Sequence, residues 1–272
     1  MSLSKSEVIA KLQQLGVSPK RSLGQNFLIG ESAVSKILKQ VQKLNSKSLI
    51  EVGPGLGALT FGLREITENL KLIEMDSVFA ADLKSQGFEV FQEDALKMDW
   101  SQLQLEQACL VSNLPYQISS SLVIDRSVSP QGVEAMILMF QKEVAQRLRA
   151  TEKTKTYGLL TVIAQSAWDI EFVTEAGPNE FYPPPNVASR VLKFTKNRKY
   201  PRDWKKYLQF VKVGFSHRRK YLLSNLNSVI LSNGESKSQW ADHLRSLGHS
   251  EKARAEELSV QDWIQLSSHL KE

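Results

Sequence analysis

The chain has 272 residues, 42% hydrophobic and 24% charged, enough for one large or two modest globular domains around a buried core. One cysteine excludes an internal disulfide, and no Cys/His grouping has zinc spacing, so no metal is expected. The N-terminal residues lack a signal-peptide core, no apolar run approaches the roughly 18 residues that cross a bilayer, and the net charge of +6 favours a polyanionic partner, so a cytoplasmic, membrane-free protein is expected.

Ser4-x-x-Glu7 forms a capping box ahead of Val8, Ile9, Leu12 and Leu15, which predicts a short amphipathic helix ending near Gly16. The following Pro19–Leu28 stretch is basic and aperiodic. It reads either as a surface loop or as a loop that folds over a ligand, with Gln25 and Asn26 as polar contacts beside Phe27 and Leu28. Glu31 to Lys43 carries Val34, Ile37, Leu38 and Val41 on one stripe and reads as a helix.

From Ser48 the pattern alternates: strand Ser48–Val52, helix Ala58–Glu68, strand Lys71–Met75, helix Val78–Ser85, strand Glu89–Gln92. Such alternation indicates a parallel, Rossmann-like α/β sheet covered on both faces. Between the first strand and helix lies Gly53-Pro-Gly-Leu-Gly57, where glycines permit positive φ and close approach of a ligand. The next helix would turn free N–H groups toward it. About twenty residues on, Glu74 closes a strand, placed to accept hydrogen bonds from a ribose diol. Gly53-x-Gly55-x-x-Ala58 also fits the permissive dinucleotide fingerprint, so these residues alone leave the cofactor open, and a purely structural turn remains the alternative. Asp94, after the third strand, reads as a contact to a purine amine or as the N-cap of the residues that follow.

Cys109–Ser112 reads as a further strand, with Cys109 a buried, inert thiol. It ends in Asn113-Leu-Pro-Tyr116. The Asn113 amide oxygen and the Leu114 carbonyl are two acceptors, Pro115 stiffens the turn that aims them, and Tyr116 offers a flat face. That set suits an exocyclic amine on a planar base; an ordinary proline turn beside an incidental aromatic is the bland alternative. Val133–Phe140 reads as a long apolar strand leading into a helix, Gln141–Arg149. Thr151–Tyr157 reads as an exposed loop and Gly158–Trp168 as a helix. Strands at Asp169–Thr174 and Arg190–Thr195 then suggest a closing antiparallel hairpin around Phe181-Tyr-Pro-Pro-Pro-Asn-Val187. Beyond it the pattern turns helical: Trp204–Gly214, Arg218–Leu231, Ser238–Ser246 and Val260–Leu270. The expected division is a catalytic domain over 1–200 and an all-helical domain over 201–272. Between Lys196 and Lys220 lie ten Lys or Arg residues against Asp203 alone. This segment, with Arg218, Arg219 and Lys220, and the loop at Lys20 and Arg21 are the candidate phosphate contacts of an RNA. Three basic residues opening a helix would oppose its dipole.

Asn-Leu-Pro-Tyr after Glu-Val-Gly-Pro-Gly-x-Gly resembles the S-adenosylmethionine-dependent ribosomal RNA adenine-N6 dimethyltransferases, and among them the branch acting on the small-subunit (16S) rRNA. The likeness extends through Leu23-Gly-Gln-Asn-Phe-Leu28, Ile73-Glu-Met-Asp76, Glu93-Asp-Ala95, Gln141-Lys-Glu-Val144, Phe181-x-Pro-Pro-Pro185 and Arg218-Arg-Lys220. It implies cofactor contacts at Asn26, Leu28, Gly53, Glu74 and Asp94. Asn113 would face both cofactor and substrate amine, and Tyr116 and Phe181 would sandwich an extruded adenine. It implies S-adenosyl-L-methionine as methyl donor, S-adenosyl-L-homocysteine as product, and N6,N6-dimethylation of two adjacent adenosines in a hairpin loop near the 3′ end of small-subunit rRNA. The implied partner is the immature 30S subunit, and a monomer is expected. Two departures bear on substrate affinity: Gln117 where the family usually has Asn, and Asn186-Val-Ala-Ser189 where it usually has Lys-Val-Asp-Ser. Rival readings are an NAD-dependent oxidoreductase on a similar sheet, and a non-catalytic ribosome-assembly factor that keeps the fold.

Overall fold

A computed structural model describes residues 3–20, 24–197, 201–229 and 237–270. In chain order the elements begin with α1 (Lys5–Gln14), β1 (Phe27–Leu28), α2 (Glu31–Leu44), β2 (Ser48–Val52), α3 (Thr60–Arg64), β3 (Leu70–Ile73), α4 (Ser77–Ser85) and β4 (Glu89–Phe91). Next come β5 (Ala108–Asn113), α5 (Tyr116–Val128), β6 (Val133–Gln141), α6 (Lys142–Leu148), α7 (Leu159–Ala167), β7 (Trp168–Ala176), β8 (Phe181–Tyr182) and β9 (Ser189–Lys196). The chain closes with α8 (Trp204–Gly214), α9 (Leu222–Asn225), α10 (Lys237–Ser246) and α11 (Val260–Ser267).

Seven strands form one sheet in the order β4-β3-β2-β5-β6-β9-β7. The first five are mutually parallel, and β9 runs antiparallel to β6. Strands β2, β5 and β6 are near-continuous apolar runs because both of their faces are covered. The order of connection reverses between β2 and β5, since β3 and β4 lie on one side and β6 on the other. At such a point the loops leaving the two strands diverge and open a crevice at their C-terminal ends. Leu49, Leu72, Val111 and Ile137 build the core under that crevice together with Val34, Ile37 and Val41 of α2.

The chain divides into two compact units, one of residues 1–145 and 170–195, the other of 146–169 and 196–272. This differs from a linear boundary at 200/201. In the second unit α7 is apolar and buried nearly all round and packs on α8 and α11, so it belongs with the helices that cover it. Phe210, Phe215, Trp240 and Trp263 form the aromatic centre of that unit.

Two expected helices differ, and one helix was not expected. The one over Ala58–Glu68 shortens to Thr60–Arg64, because Gly55 and Gly57 at positive φ keep the preceding residues in turns. Residues 215–220 form a turn rather than opening a helix, and helix resumes only at Leu222–Asn225; 230 and 231 lie outside the described residues. Arg218, Arg219 and Lys220 therefore carry no dipole cost. Helix α5 had no distinct sequence signal: its apolar face, Leu122 and Val123, is diluted by a run of serines.

Candidate active site

The two loops at the switch point meet at Gly53. Its φ is +66°, which favours glycine at this turn, and Pro115 Cδ lies in ordinary contact range, 3.4 Å from where a Cβ would stand. Gly55, at φ +55°, is tighter: a Cβ there would crowd Phe27 at 3.2 Å. Its N–H donates to Glu74 Oε2 at 3.0 Å, while Glu74 Oε1 accepts from the Asp76 N–H at 2.8 Å. Burial pushes the Glu74 carboxyl above the usual range, against those backbone donors. The Gly55 N–H is thus already held by Glu74.

Beneath the loop Glu51 is fully buried, accepts a 2.6 Å hydrogen bond from the Thr60 hydroxyl, and is pushed by burial up to about 8. Its carboxyl ties β2 to α3. Cys109 is equally buried and its thiol is pushed up to about 12, as an inert core residue requires.

Across the rim, Asn113 is the last residue of β5. Its Nδ2 donates to the Asn26 carbonyl at 3.0 Å, and Asn26 Nδ2 in turn donates to the Gly24 carbonyl at 3.1 Å. That donation fixes which way the Asn113 amide faces and leaves Oδ1 without a partner among the described residues. Leu114 is buried, Pro115 precedes α5, and Tyr116 opens α5 with its hydroxyl 3.0 Å from Ser189 Oγ. A single cavity of about 180 Å³ joins these residues: Asn26, Leu28, Gly53, Glu74, Asp94, Asn113, Leu114, Pro115 and Tyr116 all line it. Bare glycine backbone, a buried carboxylate and the apolar side chains of Met75, Ala95 and Phe79 together fit a nucleoside carrying a flexible polar arm.

The ribosomal RNA adenine dimethylase family model matches residues 16–272. A Bdellovibrio bacteriovorus protein named ribosomal RNA small subunit methyltransferase A is 46% identical over 99% of this chain and 98% of its own. A protein of the same name from Ligilactobacillus salivarius is 35% identical over 96% of this chain and 93% of its own. Among solved structures, a dimethyladenosine transferase from Plasmodium falciparum superposes with a TM-score of 0.75 at 25% identity, covering 88% of this chain and 95% of that one. The chain belongs to the ribosomal RNA adenine dimethylase family. It is an S-adenosylmethionine-dependent rRNA adenine methyltransferase, which decides between the cofactors that the glycine loop left open.

Two placements, those of Phe181 and Lys20, depart from the sequence reading. Phe181 is 2% exposed, pairs with Leu28 across β1 and β8, sits in the sheet core, and does not line the cavity. The structure does not bring it face to face with Tyr116. Asp94 acts as the cap, its Oδ1 accepting the Leu96 N–H at 3.0 Å, and the residue also lines the cavity. Lys20, expected at phosphate, forms a 2.8 Å ion pair with Asp76. Burial pushes Asp76 up, but hydrogen bonds from Lys20, the Val78 N–H and Gln25 outweigh it and hold the carboxyl below the usual range. Arg21 lies outside the described residues.

Of the basic triplet, Arg218 is engaged, its Nε 2.6 Å from Glu256 and its Nη2 3.1 Å from the Thr154 carbonyl. Arg219 and Lys220 are exposed. Gln25 lines the cavity, as the ligand-covering reading of its loop expects, whereas Met75, 52% exposed at the cavity, and Phe79 are lining residues with no assigned role in the sequence. Position beside Glu74 was the only signal for Met75, and a lone apolar residue after a strand says little. Among the described residues no group of three or more His, Cys, Asp or Glu side chains forms a metal site, and no helix is long and apolar enough to cross a membrane.

Proposed function

We propose that this chain dimethylates N6 of each of two adjacent adenosines in a hairpin loop near the 3′ end of small-subunit rRNA, acting on the immature 30S subunit as a monomer. The observation that carries the reading is the Asn113 amide, pinned through Nδ2 to the Asn26 carbonyl with Oδ1 left open beside the glycine loop.

Bound S-adenosylmethionine supplies a methyl group already activated by its sulfonium. What the protein must solve is the nucleophile, since the N6 lone pair is delocalised into the ring. Asn113 Oδ1 and the Leu114 carbonyl accept the two N6–H hydrogen bonds, which favours a pyramidal nitrogen with its lone pair directed at the methyl carbon. As the N–C bond forms and the C–S bond breaks, positive charge grows on nitrogen and both hydrogen bonds strengthen, so they act on the transition state. Holding the amine in line supplies much of the remainder. The methylated nitrogen is acidic and loses its proton to water, so no side-chain base is required.

Tyr116 serves as the base platform. Phe181 acts from the core, backing Leu28 at the cavity wall, and contributes no free ring face. Glu74 and Asp94 hold the nucleoside end of the cofactor, with Asn26, Leu28 and Gly53 completing its contacts. Residues 201–272, with Arg219 and Lys220 exposed, meet RNA phosphate. Mass spectrometry of RNA from immature small subunits incubated with protein and labelled cofactor tests the whole reading. It predicts a gain of four methyl groups confined to two adjacent adenosines; unlabelled RNA that still binds the protein would leave a non-catalytic assembly factor.

A further inference from the structure

We infer that Ser189 is a positioning residue for methyl transfer, holding the Tyr116 ring at the angle from which it receives the target base. This rests on the reading of Tyr116 as the base platform. Tyr116 enters the site from the first residue of α5, where its ring is anchored by the backbone at one end only. The other end is held by a residue 73 positions later: the hydroxyl lies 3.0 Å from Ser189 Oγ. Ser189 is fully buried and opens β9, directly after the Pro183–Ala188 loop. Its backbone is fixed by the sheet, in register with Gln141 of β6, and the neighbouring Ala188 carbonyl accepts the Lys142 N–H at 3.0 Å. A rigid strand therefore holds the far end of a ring whose near end sits on a helix terminus.

A phenol held at both ends has lost its freedom about χ1 and χ2 before the base arrives. A stacking platform gains from that, because ordering a free ring on binding would subtract from affinity. The Phe181 ring lies in the core and not in the cavity lining. The serine hydroxyl is the hydrogen-bond partner that holds the phenol. Burial raises the phenol's pKa, so it stays protonated and able to share this hydrogen bond throughout the working range.

The test is a double-mutant cycle in steady-state methylation of small-subunit RNA. Tyr116→Phe keeps the ring and removes its hydroxyl; Ser189→Ala removes the partner. Each single variant is expected to lower kcat/KM for RNA about fivefold to tenfold, with cofactor Kd within about twofold of wild type. The double variant is expected to fall no more than about twofold below the worse single, because both changes delete one interaction. Ser189→Thr, which restores a hydroxyl, should recover most of the loss. Multiplicative effects, or single variants indistinguishable from wild type, would overturn the inference. Should Ser189→Ala fail to fold, Tyr116→Phe alone decides by the same criterion. Tyr116→Ala separates the two levels: if it turns over normally, the platform reading itself fails; if it is inactive while Tyr116→Phe is unimpaired, only the role of Ser189 fails.

Discussion

The two sides of the cavity differ in how their polar groups are occupied. On the glycine-loop side the acids are already satisfied by the chain: Glu74 by the N–H groups of Gly55 and Asp76, Asp94 by the N–H of Leu96, Asp76 by Lys20. On the Asn113 side, the amide nitrogen is tied down and the oxygen is open. A side built for binding is preorganised and internally complete, so a ligand exchanges like for like. A side built for chemistry keeps an acceptor in reserve for the atom on which charge develops. The contrast explains why the same rim can hold a cofactor stably and still reserve its strongest interactions for a transition state.

The largest effect expected from breaking this contrast is at its open acceptor. Asn113→Ala should reduce single-turnover methyl transfer by at least about 100-fold while cofactor affinity, read by titration calorimetry, changes only several-fold. Equal losses in both would erase the distinction between the two sides. Next is Phe181→Ala, which empties a core position and should cost about 3 kcal/mol of stability in denaturant titration. Full stability with lost RNA-dependent turnover would instead return Phe181 to a face-to-face slot with Tyr116. Third come the exposed cations: Arg219→Ala and Lys220→Ala should each weaken RNA binding and reduce the salt slope by about 1. Arg218→Ala should chiefly lower the unfolding temperature, because that guanidinium already bonds Glu256 and Thr154.

The smallest effect concerns pH. Glu51 has a folded pKa raised to about 8, so between the ordinary carboxyl range and pH 8 the folded state holds a proton that the unfolded state has released. Stability from this group is complete at low pH and is lost as pH rises through that window. Glu51→Gln retains a side chain able to accept the Thr60 bond and cannot ionise. Its melting temperature should fall less than that of wild type between pH 5 and 8; an identical slope would mean that Glu51 is ionised in the fold.

The architecture was legible wherever one strong local signal sufficed. Ser4 and Glu7 form the capping box that their spacing announces, α2 follows its apolar stripe, and β2 ends at Val52 where the glycines begin. Parallel pairing of β2 with β5 puts Asn113 beside the glycine loop, as expected of adjoining strand ends. Legibility stopped where tertiary contacts decide. Phe181 follows a motif that also suits an exposed platform, and only the pairing of β8 with β1 turns its ring inward. Lys20 is one of many cations until Asp76, 56 residues away, claims it. Residues 146–169 look continuous with the first unit until α7 is seen to be buried nearly all round.

The most direct test is the structure of the enzyme with S-adenosylhomocysteine and an adenine-bearing RNA fragment bound together. The account predicts N6 within about 3 Å of both Asn113 Oδ1 and the Leu114 carbonyl, with the thioether sulfur in line with the nitrogen's lone pair, beyond the place of the transferred methyl. An Asn113 oxygen turned away from the base, or a sulfur remote from N6, would contradict it.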